Sequence, residues 1–128
     1  MQAIVDQPPP IATLHRPSWE IVISYIESTC SASESVAQVL ADMRSRDQIG
    51  RERYGMPLTA GNGRDHLVDA YQELLDGVVY LATELEENGS RLDVDDKRAY
   101  LQGVQQLFHA QIRAVLAARQ LIASRGAP

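Results

Sequence analysis

The stretch at residues 51–65, RERYGMPLTAGNGRD, decides how the chain is divided, because it separates two segments with strong helical character. It combines three arginines with four helix-breaking residues, Gly55, Pro57, Gly61 and Gly63. On both sides of it, apolar residues recur at spacings of three and four, as on one face of an α-helix. The stretch is therefore predicted to be a break between helices and, through its arginines, a candidate ligand site.

Three helical regions follow from the periodicity. The first starts at Pro17 and is interrupted by the Ser/Thr-rich segment 28–33, so it is either one long helix or two helices with a joint near Ser31 and a new N-cap at Ser33. The second runs from about residue 64 to 87 and the third from about residue 95 to 124. Residues 1–16, with three consecutive prolines, predict a flexible N-terminal arm, and residues 17–128 predict a single helical domain. The expected fold class is all-α.

The length of the third helix bears on assembly. At 1.5 Å per residue a helix of this length extends about 45 Å, which exceeds the reach of a compact three-helix monomer of this size. We therefore expect a long-helix antiparallel bundle that is completed by homo-oligomerisation.

Composition restricts the partners and the compartment. The 128-residue chain has a net charge of -5, which argues against general nucleic-acid binding. A single cysteine, Cys30, rules out an intramolecular disulfide, and no apolar run reaches the about 18 residues that a membrane span needs. The N-terminus also lacks the features of a signal peptide. We expect a protein of the reducing cytoplasm, without a membrane partner.

Arginine is concentrated around the break. Eleven of the twelve basic residues are arginine, and five of these lie within 21 positions: Arg44, Arg46, Arg51, Arg53 and Arg64. The planar guanidinium group suits phosphate, and a helix starting after Gly63 adds free backbone N–H groups and a positive dipole end. The predicted ligand-binding residues are Arg51, Arg53, Tyr54, Gly55, Asn62, Gly63, Arg64 and Asp65. The alternatives are solvated helix ends, an Asp65 that caps the helix, and a Tyr54 that only anchors packing.

Acidic residues form a stripe on the second helical region. Asp65, Asp69, Glu73 and Asp76 fall within about 80° of one another around a helix. Such a stripe is either a Mg²⁺ site, with Asp69, Glu73 and Asp76 as ligands, or a solvated face opposite the apolar one.

Part of the sequence resembles known families. Residues 47–87 resemble a stretch of small phage and prophage proteins with the pattern RYG-x-PL…NGRD…DAYQE-x-LD…YL. Within it, Glu73-Leu-Leu-Asp76 is similar to the ExxD half of the magnesium motif of MazG-like all-α nucleoside-triphosphate pyrophosphohydrolases. The ExxE half that the resemblance requires is absent from the first helical region.

Three functions stay open at this point. The preferred one is a phage-type helical bundle that binds and sequesters a phosphorylated nucleotide signal through the arginine-rich loop, as a counter-defence protein, without a cofactor. The second is a Mg²⁺-dependent MazG-like pyrophosphohydrolase that uses Glu73 and Asp76 with Asp69 and either Asp47 or Glu52. The third is a structural or interaction dimer that binds no ligand.

Overall fold

The computed structural model describes residues 6–89 and 95–125. These residues form four α-helices and no β-strand. The helices are α1 (Ser18–Thr29), α2 (Glu34–Tyr54), α3 (His66–Gly89) and α4 (Asp95–Arg125). The predicted all-α fold class is confirmed. No helix in this part of the chain is long and apolar enough to cross a membrane.

The first helical region is two helices. α1 ends where Cys30 adopts an extended backbone conformation. α2 begins after Ser33, whose hydroxyl accepts a hydrogen bond from the Val36 N–H at 3.1 Å. Of the two alternatives left open by the sequence, one long helix or two with an N-cap at Ser33, the structure has the second. The Ser33 hydroxyl satisfies a backbone donor that the first turn leaves without a helical partner.

The stretch at residues 51–65 breaks the helix as predicted. α2 ends at Tyr54, and its C-cap, Gly55, adopts the left-handed conformation with a φ of 71° and donates its N–H to the Arg51 carbonyl. Gly61 and Gly63 also have positive φ angles, of 69° and 88°, which residues with a Cβ rarely adopt. The glycines therefore produce the turn between α2 and α3.

The chain divides into two compact units at the end of this stretch, between Arg64 and Asp65. The first unit is residues 7–64 and contains α1 and α2 as an antiparallel hairpin. Its direction is given by two cross-helix ion pairs, Arg44 with Glu27 at 3.5 Å and Arg51 with Glu20 at 3.7 Å.

The second unit starts at Asp65 and contains α3 and α4, also as an antiparallel hairpin. As the residue number rises from Asp65 along α3, the residue number of the contacting residue on α4 falls. The contacts, in order, are Asp65 with Arg125 at 2.7 Å, Leu74 O with Gln111 at 3.5 Å, and Glu84 with Tyr100 at 2.5 Å.

The buried apolar residues of the second unit are Val68 on α3 and Leu101, Ala118 and Ile122 on α4. Four further apolar residues of α4 are half-buried: Val104, Phe108, Ile112 and Val115. With the buried residues of this helix they form the inner face of α4. Helix pairs of this kind are held mainly by such an apolar face, since isolated helices are only marginally stable in water.

Candidate functional site

The predicted ligand-binding residues lie at three places. Arg51, Arg53 and Tyr54 belong to the last turn of α2, and Gly55 is the C-cap of that helix. Asn62, Gly63 and Arg64 lie in the loop that follows, and Asp65 precedes α3. Asp65 belongs to the second unit, and the seven other predicted ligand-binding residues belong to the first.

Arginines near the break are held by carboxylates of the same unit. The Arg51 guanidinium donates to Asp47 Oδ1 at 2.9 Å, and this hydrogen bond, more than the charge of Glu20, raises the pKa of Arg51. Arg44 pairs with Glu27. Two of the five clustered arginines therefore have their charge balanced inside the hairpin, and both pairs are partly exposed to solvent.

Arg53 and Tyr54 form a different arrangement. The Arg53 guanidinium lies over the Tyr54 ring, 5.4 Å from the ring centroid, and 56% of Tyr54 is exposed. A cation over an aromatic face is a modest attraction at an exposed site. This pair presents a positive charge and an aromatic ring side by side at the end of α2.

The loop after α2 is tied to the segment that precedes α1. Thr59 and Asn62 are almost fully buried. The Thr13 hydroxyl donates to the Thr59 hydroxyl at 2.7 Å, and the Ile11 N–H donates to the Asn62 carbonyl at 2.9 Å. Asn62 Oδ1 in turn accepts the Arg64 N–H at 3.2 Å. Asn62 therefore shapes the loop from inside, a role that the sequence analysis did not assign to it.

Arg64 contributes to the same connection. Its guanidinium donates to the Pro8 carbonyl at 2.9 Å. The segment before α1, which the sequence analysis predicts to be a flexible arm, thus supplies partners to the loop at Pro8, Ile11 and Thr13. Neither Thr13 nor Thr59 was identified from the sequence, because hydrogen-bonded pairs 46 residues apart leave no periodic signal.

Asp65 occupies the N-terminus of α3 itself. Its Oδ1 accepts the Val68 N–H at 3.2 Å, and its two oxygens accept the Arg125 guanidinium at 3.0 and 2.7 Å. The hydrogen bonds from Arg125 are the largest cause of the lowered pKa of Asp65. A carboxylate of the chain thus lies where the helix dipole favours an anion.

The acidic stripe does not form a metal cluster in the described residues. Within residues 6–89 and 95–125, no group of three or more His, Cys, Asp or Glu side chains is placed so that it could hold a metal ion. Asp69, Glu73 and Asp76 gain no geometric support as Mg²⁺ ligands, and the metal site stays a prediction.

A more extensive surface lies on α4. Tyr100, Leu107 and Leu121 are 52%, 54% and 57% exposed, and with the half-buried Ala114 they recur every seven residues. Three positions after each comes a small exposed residue: Gly103, Ala110, Ala117 and Ser124. We call these eight residues the outer seam. Their spacing is that of the a and d positions of a coiled coil, with the large residues at a and the small ones at d.

The outer seam is distinct from the face that α4 buries, although its first residue also reaches α3, through the Tyr100 hydroxyl that donates to Glu84. Each large position is followed directly by an inner-face residue, so that apolar doublets recur every seven residues: Tyr100-Leu101, Leu107-Phe108, Ala114-Val115 and Leu121-Ile122. Adjacent residues on a helix point about 100° apart. α4 therefore has one apolar face that is buried and a second that is exposed.

The outer seam also has few charged neighbours. From Ala99 to Ser124, α4 carries only two charged side chains, Arg113 and Arg119. Arg119 is directed toward α3, with its guanidinium 5.9 Å from the Tyr71 ring centroid. A solvated helix face is normally rich in charge, whereas the centre of a protein interface is depleted of it. The outer seam has the composition of an interface.

Comparisons with family models, with curated proteins and with solved structures find no match to this chain. The geometry of the described residues is therefore the basis for assigning a function.

Proposed function

We propose that this protein is a structural or interaction module that docks onto another polypeptide through the outer seam of α4. The observation that carries the proposal is the exposure of Tyr100, Leu107 and Leu121 at heptad spacing on a helix whose inner face is already buried. A single exposed leucine is ordinary, but a sustained heptad pattern over three or more heptads is typical of a helix with a partner.

The energetics support the proposal. Full burial of a leucine contributes about 1.5–3 kcal/mol, and roughly half of Leu107 and of Leu121 is still exposed to water. A partner helix on Leu107 and Leu121 would remove that surface at little electrostatic cost. Between Ala99 and Ser124, the charged residues of α4 are only Arg113 and Arg119, and Arg119 lies toward α3. The carboxylate that touches the seam, that of Glu84, already accepts the Tyr100 hydroxyl at the end of the seam.

The arginine-rich break supports a ligand-binding function less well. Arg51 is bound by Asp47 and Glu20, and Arg44 by Glu27. A phosphate would have to compete with these carboxylates and with the Asp65 carboxylate at the N-terminus of α3.

A matched pair of variants tests the docking surface. Leu107 and Leu116 are both leucines of α4 with similar exposure, 54% and 59%, and they lie nine residues and thus about half a turn apart around the helix. Leu107→Glu places a charge in the outer seam, and Leu116→Glu places the same charge away from it. Sedimentation velocity of the purified protein, and affinity capture from the native host, then report assembly.

We expect Leu107→Glu to abolish the assembly that the wild-type protein forms, because an unpaired carboxylate in an apolar interface is strongly unfavourable. We expect Leu116→Glu to retain it. Circular dichroism checks that both variants keep their helices. Equal assembly by both variants, or none by the wild-type protein under any condition, would reject the outer seam as a docking surface.

A second candidate function is the binding of a phosphorylated nucleotide, supported by the Arg53–Tyr54 pair. The pair offers a guanidinium for phosphate and an exposed ring for a base. A thermal shift assay with a nucleotide panel, with and without Mg²⁺, tests it: a binder is stabilised without the metal, and Arg53→Ala reduces the shift. Release of pyrophosphate that Glu73→Ala abolishes would instead favour the MazG-like hydrolase. The absence of both effects would contradict both ligand functions.

A further inference from the structure

We infer that the partner on the outer seam is a second copy of this chain, bound antiparallel with Leu107 of one copy facing Ala117 of the other. This inference rests on the proposed function and specifies the partner of the same surface. It follows from the distribution of large and small residues along the seam and from its length and charge.

The volumes along the outer seam are unequal. The a positions hold Tyr100, Leu107, Ala114 and Leu121, and the d positions hold Gly103, Ala110, Ala117 and Ser124. In a parallel pair, a faces a and d faces d, so layers of two leucines set the separation of the helices and layers of two glycines or alanines between them are left underfilled. In an antiparallel pair, a faces d, and each large side chain meets a small one. Interiors pack to uniform density, so the antiparallel pair is favoured.

One register uses the whole seam. With a two-fold axis at the level of Ile112, every seam residue of one copy meets a seam residue of the other. The layers are Tyr100 with Ser124, Leu107 with Ala117, Ala114 with Ala110, and Leu121 with Gly103. The paired region covers 25 residues, about 36 Å, or three and a half heptads, which is the length that a coiled coil needs.

The flanking polar residues are compatible with self-pairing. The same register brings Gln106 of one copy beside Gln120 of the other, and each amide both donates and accepts hydrogen bonds. The two Arg113 side chains lie near the two-fold axis and repel each other weakly across solvent. Added salt screens this repulsion, so a dimer of two copies should tighten as salt rises, whereas an acidic partner opposite Arg113 should be released.

Disulfide cross-linking tests both the identity and the direction of the partner. The native thiol is exposed, so all variants carry Cys30→Ser. Gly103→Cys and Leu121→Cys are made separately, mixed, allowed to exchange and oxidised. Gly103 tolerates the change, because a Cβ at this exposed position has no neighbour within 4 Å. In the inferred pair, positions 103 and 121 of different copies are adjacent, whereas two copies of position 103 are about 27 Å apart along the axis.

We expect a disulfide between the two variants in the mixture and none in either variant alone. Disulfides in each variant alone would show a parallel pair and overturn the inference. Leu107→Cys mixed with Ala117→Cys gives a second measurement of the same register, and Leu116→Cys is the control that should not cross-link. If Leu107→Glu disrupts assembly while no cysteine pair cross-links, the partner is a different protein. In that case the docking surface stands and this inference fails.

Discussion

Two neighbouring residues of α4 separate the roles of its two apolar faces. Ile122 is completely buried, whereas Leu121, one position earlier, is 57% exposed and belongs to the outer seam. We predict that alanine at position 122 destabilises the fold of the chain itself. Alanine at position 121 should instead weaken the association between copies.

The magnitudes follow from burial. Replacing a buried isoleucine with alanine costs about 2–5 kcal/mol, because it removes apolar contacts and leaves a cavity, so Ile122→Ala should lose about 3 kcal/mol at any protein concentration. Full burial of a leucine side chain stabilises by about 1.5–3 kcal/mol. The second copy covers only the half of Leu121 that is exposed, so each Leu121 contributes about half of that free energy to the dimer. Two such residues per dimer contribute about 1.5–3 kcal/mol, so Leu121→Ala should weaken the dimer roughly 10- to 150-fold.

Urea titration followed by circular dichroism measures both effects. Each variant and the wild-type protein are unfolded at two protein concentrations that differ a hundredfold, because the stability of a dimer depends on concentration and that of a monomer does not. Ile122→Ala should lower the unfolding midpoint at both concentrations. Leu121→Ala should reduce the concentration dependence that the wild-type protein shows. If both variants shift the midpoint equally at both concentrations, the distinction between the two faces is wrong.

Three further predictions concern local structure, each followed by urea unfolding. Ser33→Ala removes the hydroxyl that accepts the Val36 N–H and should cost about 1 kcal/mol, whereas Ser33→Gly should cost only a few tenths. Gly55→Ala forces a Cβ into the left-handed region and should cost about 1–2 kcal/mol; an unchanged midpoint would contradict the assigned φ of 71°. The Arg125 guanidinium lowers the pKa of Asp65. The contribution of this ion pair to the free energy of unfolding is therefore complete above the ordinary aspartate pKa of about 3.9 and is lost as pH falls through the lowered pKa. Asp65→Asn should therefore flatten the loss of stability in acid, and an identical pH profile would exclude the pair as a cause.

The helices were predictable because their signals are local. Apolar spacing located three helical regions and left open whether the first was one helix or two. Ser33 and the glycines of residues 51–65 mark ends that the structure confirms. These residues act on their own backbone or on a neighbour within one turn, so no knowledge of distant parts of the chain is required.

The environment of the arginines was less predictable, because most of it is set by contacts across the fold. The pairing of Arg51 with Asp47 follows from the spacing of four on one helix, but its second partner, Glu20, lies on the other helix of the hairpin. Likewise, Asp65 meets Arg125 sixty positions later. The cluster of arginines in the sequence predicted positive charge that could bind a ligand, but in the fold Arg44 and Arg51 are paired with carboxylates.

The outer seam was present in the sequence but was hidden by the inner face. Both faces repeat every seven residues and are adjacent in sequence, as in Leu107-Phe108 and Leu121-Ile122. When a single apolar face is expected, the second residue of each doublet is assigned to it and the first is not recognised as part of another face. The scarcity of charged residues between Ala99 and Ser124 would have identified the outer seam, since a solvated helix face of this length normally carries several.

One spin-label distance distinguishes an antiparallel dimer through the outer seam from a parallel pair and from an unpaired chain. A label at position 103 in the Cys30→Ser background is measured by pulsed electron paramagnetic resonance. The inferred pair places the two labelled backbones about 27 Å apart along the helix axis. A parallel pair would bring them to the interaxial distance of about 8–10 Å, and a chain that does not pair would give no intermolecular distance. A distance near the first value supports the account, and either of the other results contradicts it.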